Sequence, residues 1–197
     1  MLILASASPR RQELLRAAAL PFIVEPTDIP EIPQPGESPG DFTMRLATAK
    51  ARAIASRHPE DYVLGADTTV VVEDQILNKP ENAGDAKRML RLLSGRSHQV
   101  ITGVCLVVPQ LRTKNRELRT ALEDVRSETT TVTFDKLSDR DIEYYVSTPE
   151  PMDKAGAYAI QGIASRWVTR VEGDYSNVVG LPVALVYRML RDHGAMP

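Results

Sequence analysis

The chain has 197 residues, 43% of them hydrophobic and 25% charged, with 24 basic side chains against 26 acidic ones. That length suits one compact domain, or two small lobes sharing a core, able to bury roughly 70% of the surface that the unfolded chain exposes. A net charge of −2 gives no general attraction to nucleic acid or acidic membranes, and the single Cys105 excludes a disulfide scaffold or a cysteine-built metal centre. His58, His98 and His193 are too widely spaced to suggest a histidine cluster. No apolar run approaches the ~18 residues of a membrane span, and no basic leader precedes a long apolar stretch at the N-terminus. A soluble, cytoplasmic globular protein is expected.

Leu2–Ala5 reads as a short buried strand. Ser8 follows as an N-cap and Pro9 as the first residue of a helix with Leu14, Leu15 and Ala18 on its apolar face. Phe22–Glu25 is a second strand candidate. Five prolines and Gly36 between Pro26 and Pro39 make a long, stiff loop, a type of connection that tends to be functional or disordered. Ser38-Pro39 starts a helix that runs to about Arg57, with Phe42, Leu46, Ala49 and Ala53 at helical spacing. Tyr62–Val72 is rich in β-branched residues, and Ile76-Leu77 returns as a hairpin partner. Asn82 caps a helix through Met89, Leu90 and Leu93 that stops at Gly95.

Val100–Val108 reads as a strand, and residues 110–127 as a polar, exposed excursion. Glu128–Phe134 alternates as a half-buried strand would. Ser138 with Asp141 forms a capping box before Ile142, Tyr145 and Val146. Gly156–Gly162 and Trp167–Val171 are further strand candidates, and Pro182 opens a last helix ending near His193-Gly194. Helices alternate with strands while hairpin signals recur, so an α/β fold with a mixed sheet is expected.

Four groups of residues could carry chemistry. Ala5-Ser6-Ala7-Ser8-Pro9-Arg10-Arg11 joins a strand to a helix, and its free N–H groups, hydroxyls and guanidinium groups suit a phosphate. A capped helix with solvated arginines accounts for the same pattern. Asp67, among small and β-branched residues, is costly to desolvate unless it meets a cation, a metal or N–H donors; a turn-bonded structural Asp is the bland reading. Glu31, with Asp28 nearby, lies on the proline-stiffened loop and could serve a hard divalent cation, which takes oxygen ligands. Lys50, Lys79 and Lys154 could bind phosphate, although each alone reads equally well as a surface lysine.

No P-loop, dinucleotide-binding glycine turn or serine nucleophile elbow is present. The basic stretch Arg112-Thr113-Lys114-Asn115-Arg116 has no interleaved aromatics and reads as a solvated loop.

Taken in order, the segments resemble the Maf family of nucleotide pyrophosphatases. The matching stretches are Leu4 to Leu15 with its Ser-Ala-Ser-Pro-Arg-Arg core, Arg45-Leu46-Ala47 with Lys50-Ala51, and Gly65-Ala66-Asp67-Thr68. They continue through Lys79-Pro80, Leu93-Ser94-Gly95, Asp153-Lys154-Ala155-Gly156-Ala157-Tyr158 and Gly180-Leu181-Pro182. The resemblance spans essentially the whole chain as a single domain. It implies an elongated mixed β-sheet with flanking helices and two lobes around a cleft, as in the inosine triphosphate pyrophosphatases. It also implies hydrolysis of a nucleoside triphosphate to the monophosphate and pyrophosphate with a divalent metal, Mg2+ or Mn2+, and a homodimeric state.

Asp67 falls on the family's catalytic acid, and Ser8, Arg11, Glu31, Lys50, Lys79 and Lys154 fall on cleft positions, with Glu31 and Asp67 expected to reach the metal. Asn78 departs from the Glu that many relatives carry before Lys-Pro. Arg10, Thr68 and Gln161 resemble the subgroup acting on dTTP and UTP, whereas the subgroup acting on 7-methyl-GTP has Trp, Gln and Glu there. A nucleotide-binding regulator of septum formation is the competing reading from another class; a nucleic-acid-binding module is disfavoured by the net charge.

Overall fold

The apolar run that opens the chain forms β1 (Leu2–Leu4), fully buried, and lies parallel to both β2 (Ile23–Val24) and β3 (Tyr62–Val72). The structure, a computed structural model, describes residues 1–109 and 122–196. The Arg112–Arg116 stretch lies outside the described residues.

Glu73 and Asp74, both with positive φ, make the tight turn from β3 to its antiparallel partner β4 (Gln75–Leu77), the backbone geometry that matches hairpin twist. With β5 (Ser97–Val108), β6 (Leu122–Phe134) and β7 (Val168–Glu172), the sheet runs in the order β2-β1-β3-β5-β6-β7, with β4 on β3. β6 and β7 are antiparallel, so the sheet is mixed, as expected. No helix among the described residues is long and apolar enough to cross a membrane.

Two compact units divide the chain. The first comprises 1–67, 102–128 and 180–197, and the second 68–101 and 129–179. In the first unit the period-2 pattern of the strands sorts side chains to two faces. Leu2, Leu4, Leu64, Ala66, Val104 and Leu106 pack on Leu15 of α1 (Pro9–Ala17) and on Leu185, Val186, Met189 and Leu190 of α6 (Val183–Asp192). Ile3, Ala5, Val63, Cys105 and Val107 pack on Ala47, Ala51 and Ile54 of α2 (Pro39–Ala55). Each fully buried Leu or Ile contributes ~1.5–3 kcal/mol of transfer free energy.

The buried stripe of α2 runs through Phe42, Thr43, Leu46, Ala47, Lys50, Ala51 and Ile54; Ala49 and Ala53 flank it. The expected face was rotated because alanines alone do not tell which side of a helix is inside. Glycines on the sheet decide it. A Cβ at Gly65 would lie 2.1 Å from the Ala47 carbonyl oxygen, and one at Gly103 2.4 Å from the Met44 nitrogen, so the α2 backbone rests directly on these two strands.

In the second unit α3 (Ala83–Leu93), capped by Asn82 on the Asp85 N–H, packs on α4 (Asp139–Val146), whose Ser138–Asp141 capping box forms as expected. Three elements differ from expectation. Residues 122–127 belong to β6, whose exposure alternates from Asp124 onward although its side chains there are mostly polar, so the strand reads as an excursion on hydropathy alone. Gly156–Gly162 is not a strand. Gly156 and Ala157 both have positive φ, which breaks any extended run, and the apolar residues there are buried in turns. A short helix, α5 (Tyr175–Val179), was not expected.

His98 is buried in the second unit, edge-on to Phe134 and Tyr158 and hydrogen-bonded through Nε2 to the Tyr158 hydroxyl at 2.8 Å. Burial pushes its pKa down to about 4. The unfolded state therefore binds the extra proton first as pH falls. Stability is fully present above the ordinary histidine value near 6.5 and is lost between there and about 4. The loss amounts to about 3 kcal/mol. His98→Gln is expected to flatten this part of the Tm-against-pH curve. A parallel fall in parent and variant would show that other groups cause it.

Candidate active site

The strand-to-helix junction after β1 brings Ser8 to the N-cap of α1 in an extended conformation, with Pro9 next. Its hydroxyl makes no cap bond, in contrast to Ser38 at the start of α2, which accepts the Asp41 N–H at 3.1 Å. Arg10 is half-buried. Arg11 is buried, so the solvated reading of this side chain does not hold. Its Nε donates to the Gly180 carbonyl at 2.8 Å, and Nη1 to the Ala66 carbonyl at 2.8 Å and Ser6 Oγ at 3.1 Å. Arg11 thus fastens α1 to the strand that carries Asp67 and to the segment before α6. Burial lowers its pKa, opposed by the charges of Asp67 and Glu31.

Asp67 is 4% exposed. Lys50 Nζ donates to its Oδ1 at 2.6 Å and to Glu31 Oε1 at 2.7 Å. Two carboxylates, one from the proline-rich loop and one from β3, therefore converge on a single cation. Burial drives the Asp67 pKa above its ordinary value; Lys50 opposes this by charge and by its hydrogen bond, Arg11 by charge, while Glu31 adds to it. A carboxylate in such surroundings is a stronger base than one in water.

The placement of each partner has a local cause. Close packing at Gly65 and Gly103 seats α2 on the sheet, which brings Lys50 over Asp67. Arg45, on the same helix, donates to Glu37 at 2.6 and 2.8 Å and to the Ile32 carbonyl at 3.0 Å. Those bonds fix the loop beside Glu31. Arg45 was absent from the expected site, and Ser6, part of the expected phosphate loop, was not foreseen as a partner of Arg11. The Arg-Leu-Ala motif contains Arg45, but sequence spacing does not reveal that it holds a loop. Asp28 is exposed, and the bonds that Lys50 Nζ donates go to Glu31 and Asp67. Among the described residues no group of three or more His, Cys, Asp or Glu side chains gathers.

Thr68, Lys79, Lys154 and Gln161 belong to the second unit. Asn78 ties three of their neighbourhoods together: its Oδ1 accepts from Thr69 Oγ1 at 3.2 Å, and its carbonyl accepts the Gly156 N–H at 3.2 Å. Asn78, the departure from Glu before Lys79, is thus a structural link within this unit. Lys79 is exposed and Thr68 half-buried. Lys154 Nζ donates to the Glu150 carbonyl at 2.7 Å and also pairs with Asp153. Gln161 is exposed on a turn closed by the Gly162 N–H to the Ala159 carbonyl at 3.1 Å.

A family model for Maf-like proteins matches residues 1–193. A dTTP/UTP pyrophosphatase of Koribacter versatilis is 54% identical over 195 residues, which cover 99% of this chain and 95% of that protein. A protein of the same description from Symbiobacterium thermophilum is 49% identical over 193 residues, covering 98% and 94%. Among solved structures, the Ham1 protein of Staphylococcus aureus superposes with a TM-score of 0.51 at 12% identity, covering 97% of this chain and 98% of the other, a likeness of fold alone. With its family motifs in order along the whole chain and two carboxylates gathered on Lys50, the chain belongs to the Maf family.

Proposed function

We propose that this chain is a nucleoside triphosphate pyrophosphatase that converts dTTP and UTP, with their 5-modified analogues, to the monophosphate and pyrophosphate. The observation that carries this reading is the convergence of Glu31 and Asp67 on Lys50 Nζ, in a chain 54% identical to a dTTP/UTP pyrophosphatase. Carboxylates held on one cation can also hold another. Their oxygens suit Mg2+ or Mn2+, which need only one or two carboxylates beside phosphate and water. Such an ion would neutralise charge on the phosphoryl oxygens.

Asp67 orients the attacking water and takes its proton, while Lys50 keeps the carboxylate ionised and fixed in direction. Ser8, Lys79 and Lys154 bind the phosphates. Arg11, already bonded to the backbone, contributes its charge and the shape of the Ser6–Ser8 loop. Arg10, Thr68 and Gln161 read the base: a Gln amide both donates and accepts, which matches the alternating carbonyl and N–H edge of uracil or thymine. On this reading the enzyme works in the cytoplasm as a homodimer, with neither nucleic acid nor membrane as partner.

The test is a panel of triphosphates with Mg2+ or Mn2+, assayed separately for pyrophosphate and orthophosphate. dTTP and UTP are expected to exceed ATP and GTP in kcat/KM, and a chelator to abolish turnover. Orthophosphate as the primary product would overturn cleavage at the α–β bond, and 7-methyl-GTP as the best substrate would overturn the pyrimidine assignment. Glu31→Gln is expected to raise the half-saturating metal concentration and lower the rate together. An unchanged maximal rate and half-saturation would leave Glu31 a loop residue only.

A further inference from the structure

Beside Lys154 and Gln161, one carboxylate organises a segment that has almost no regular structure of its own. Glu150 sits between Pro149 and Pro151, so the backbone on both sides of it is stiff. Its Oε1 accepts the Tyr145 hydroxyl at 2.7 Å and the Ile163 N–H at 3.0 Å, and Oε2 lies 3.2 Å from the same N–H. The Tyr145 oxygen in turn accepts the Ala159 N–H at 3.1 Å. Ala159 and Ile163 flank the turn that presents Gln161, so its two ends are held by one tyrosine–carboxylate pair.

The fit is close. A Cβ at Gly162 would lie 2.2 Å from Glu150 Oε2, and Gly162 has a negative φ of −108°, so a side chain there would press on the Glu150 carboxylate without straining the backbone. The Glu150 carbonyl, in turn, accepts Lys154 Nζ. Tyr145 is wholly buried edge-on to Trp167, and burial together with the Glu150 carboxylate raises its pKa, which keeps the phenol a donor.

We infer that Glu150 and Tyr145 are positioning residues for pyrimidine selection, acting by fixing the direction in which the Ala159–Gly162 turn holds Gln161. The inference rests on the reading of Gln161 as a base-contacting residue. Apolar burial is non-directional, whereas hydrogen bonds to the N–H groups on both sides fix the orientation of the turn, as selection through a side-chain amide requires.

The experiment measures kcat/KM for dTTP and for GTP in the full-length enzyme carrying Glu150→Ala, Glu150→Gln, Tyr145→Phe or Gln161→Ala, and in the Glu150→Ala/Gln161→Ala double variant. Glu150→Ala and Tyr145→Phe are expected to lower the dTTP-to-GTP ratio ~10-fold, mainly through KM, with a smaller change in kcat. Glu150→Gln, which retains an acceptor for the Ile163 N–H, should restore part of the ratio. In the Gln161→Ala background, adding Glu150→Ala should leave the ratio where it is, because the two changes act through one contact.

Tyr145→Phe, which keeps the ring in the core, carries the test if Glu150→Ala fails to fold. A fall in Tm with an unchanged ratio in both Glu150→Ala and Tyr145→Phe would overturn the inference and leave the pair purely structural. A ratio already unchanged in Gln161→Ala would instead refute the reading of Gln161 and bring the inference down with it.

Discussion

Asp67→Asn is expected to lower kcat for dTTP by ~10²–10⁴-fold, the range lost with a general base, and further if a metal ligand is lost as well. Its Tm, measured with chelator present, should be unchanged or higher. Both expectations come from the same burial. The folded environment, with Lys50 2.6 Å away included, raises the Asp67 pKa, so on balance it holds the proton more tightly than the unfolded chain does. Asp67 therefore favours folding most below its ordinary carboxylate value, and that contribution is lost as pH rises through the folded-state value. At neutral pH the ionised side chain burdens the fold, and a neutral amide of the same shape removes the burden while still accepting from Lys50. Near-normal kcat in Asp67→Asn would remove this residue from the mechanism. A marked fall in Tm would mean that the Lys50 ion pair outweighs desolvation.

Reactive groups were easier to read than the contacts that aim them. A carboxylate set in Val63–Val71 among small and β-branched residues announces itself, because nothing in an ordinary strand needs it. The pairing of Asp67 with Lys50 and Glu31 is not in the spacing, since it depends on how closely α2 approaches the sheet. Arg11 shows the opposite failure: guanidinium groups are usually exposed, and only the convergence of the Ala66 and Gly180 carbonyls on it explains its burial.

Elements marked by local chemistry were legible. The Ser38 and Asn82 caps, the Ser138–Asp141 box and the Tyr62–Val72 strand all lie where capping and β-branching indicate. Segments whose conformation answers to distant partners were not. The start of β6 carries ion pairs from Glu123 to Arg52 and from Arg126 to Asp124 and Asp192, which a hydropathy pattern cannot register. Apolar residues at 157–160 alternate no more clearly than a buried turn does, so the left-handed backbone at Gly156 and Ala157 was invisible. Glu150, one glutamate between two prolines, carries no sequence signal that it grips a turn 13 residues onward.

Gly65→Ala is expected to couple a loss of stability to a loss of activity, because the same contact sets both. The added methyl would meet the Ala47 carbonyl oxygen at 2.1 Å and the Ala51 nitrogen at 2.8 Å, atoms of helix backbone that cannot rotate away. Relief requires α2 to move off the strand, at the upper end of overpacking costs, about 3 kcal/mol. For a chain of this size that corresponds to a Tm lower by roughly 6–12 °C. Lys50 precedes Ala51, so the same movement draws Nζ from Asp67 and Glu31, and a displacement of ~1 Å can cost ~10²-fold in rate.

Gly40→Ala is the control on the same helix. Its nearest neighbour is Ser38 Oγ at 4.0 Å, and the smaller entropy of the unfolded chain should raise stability by ~0.4–1 kcal/mol with activity intact. Assays well below both Tm values separate the effects. A Gly65→Ala enzyme with parental Tm would show that α2 has room to spare. One with a lowered Tm but parental kcat would show that Lys50 reaches the carboxylates whatever the height of the helix above the sheet.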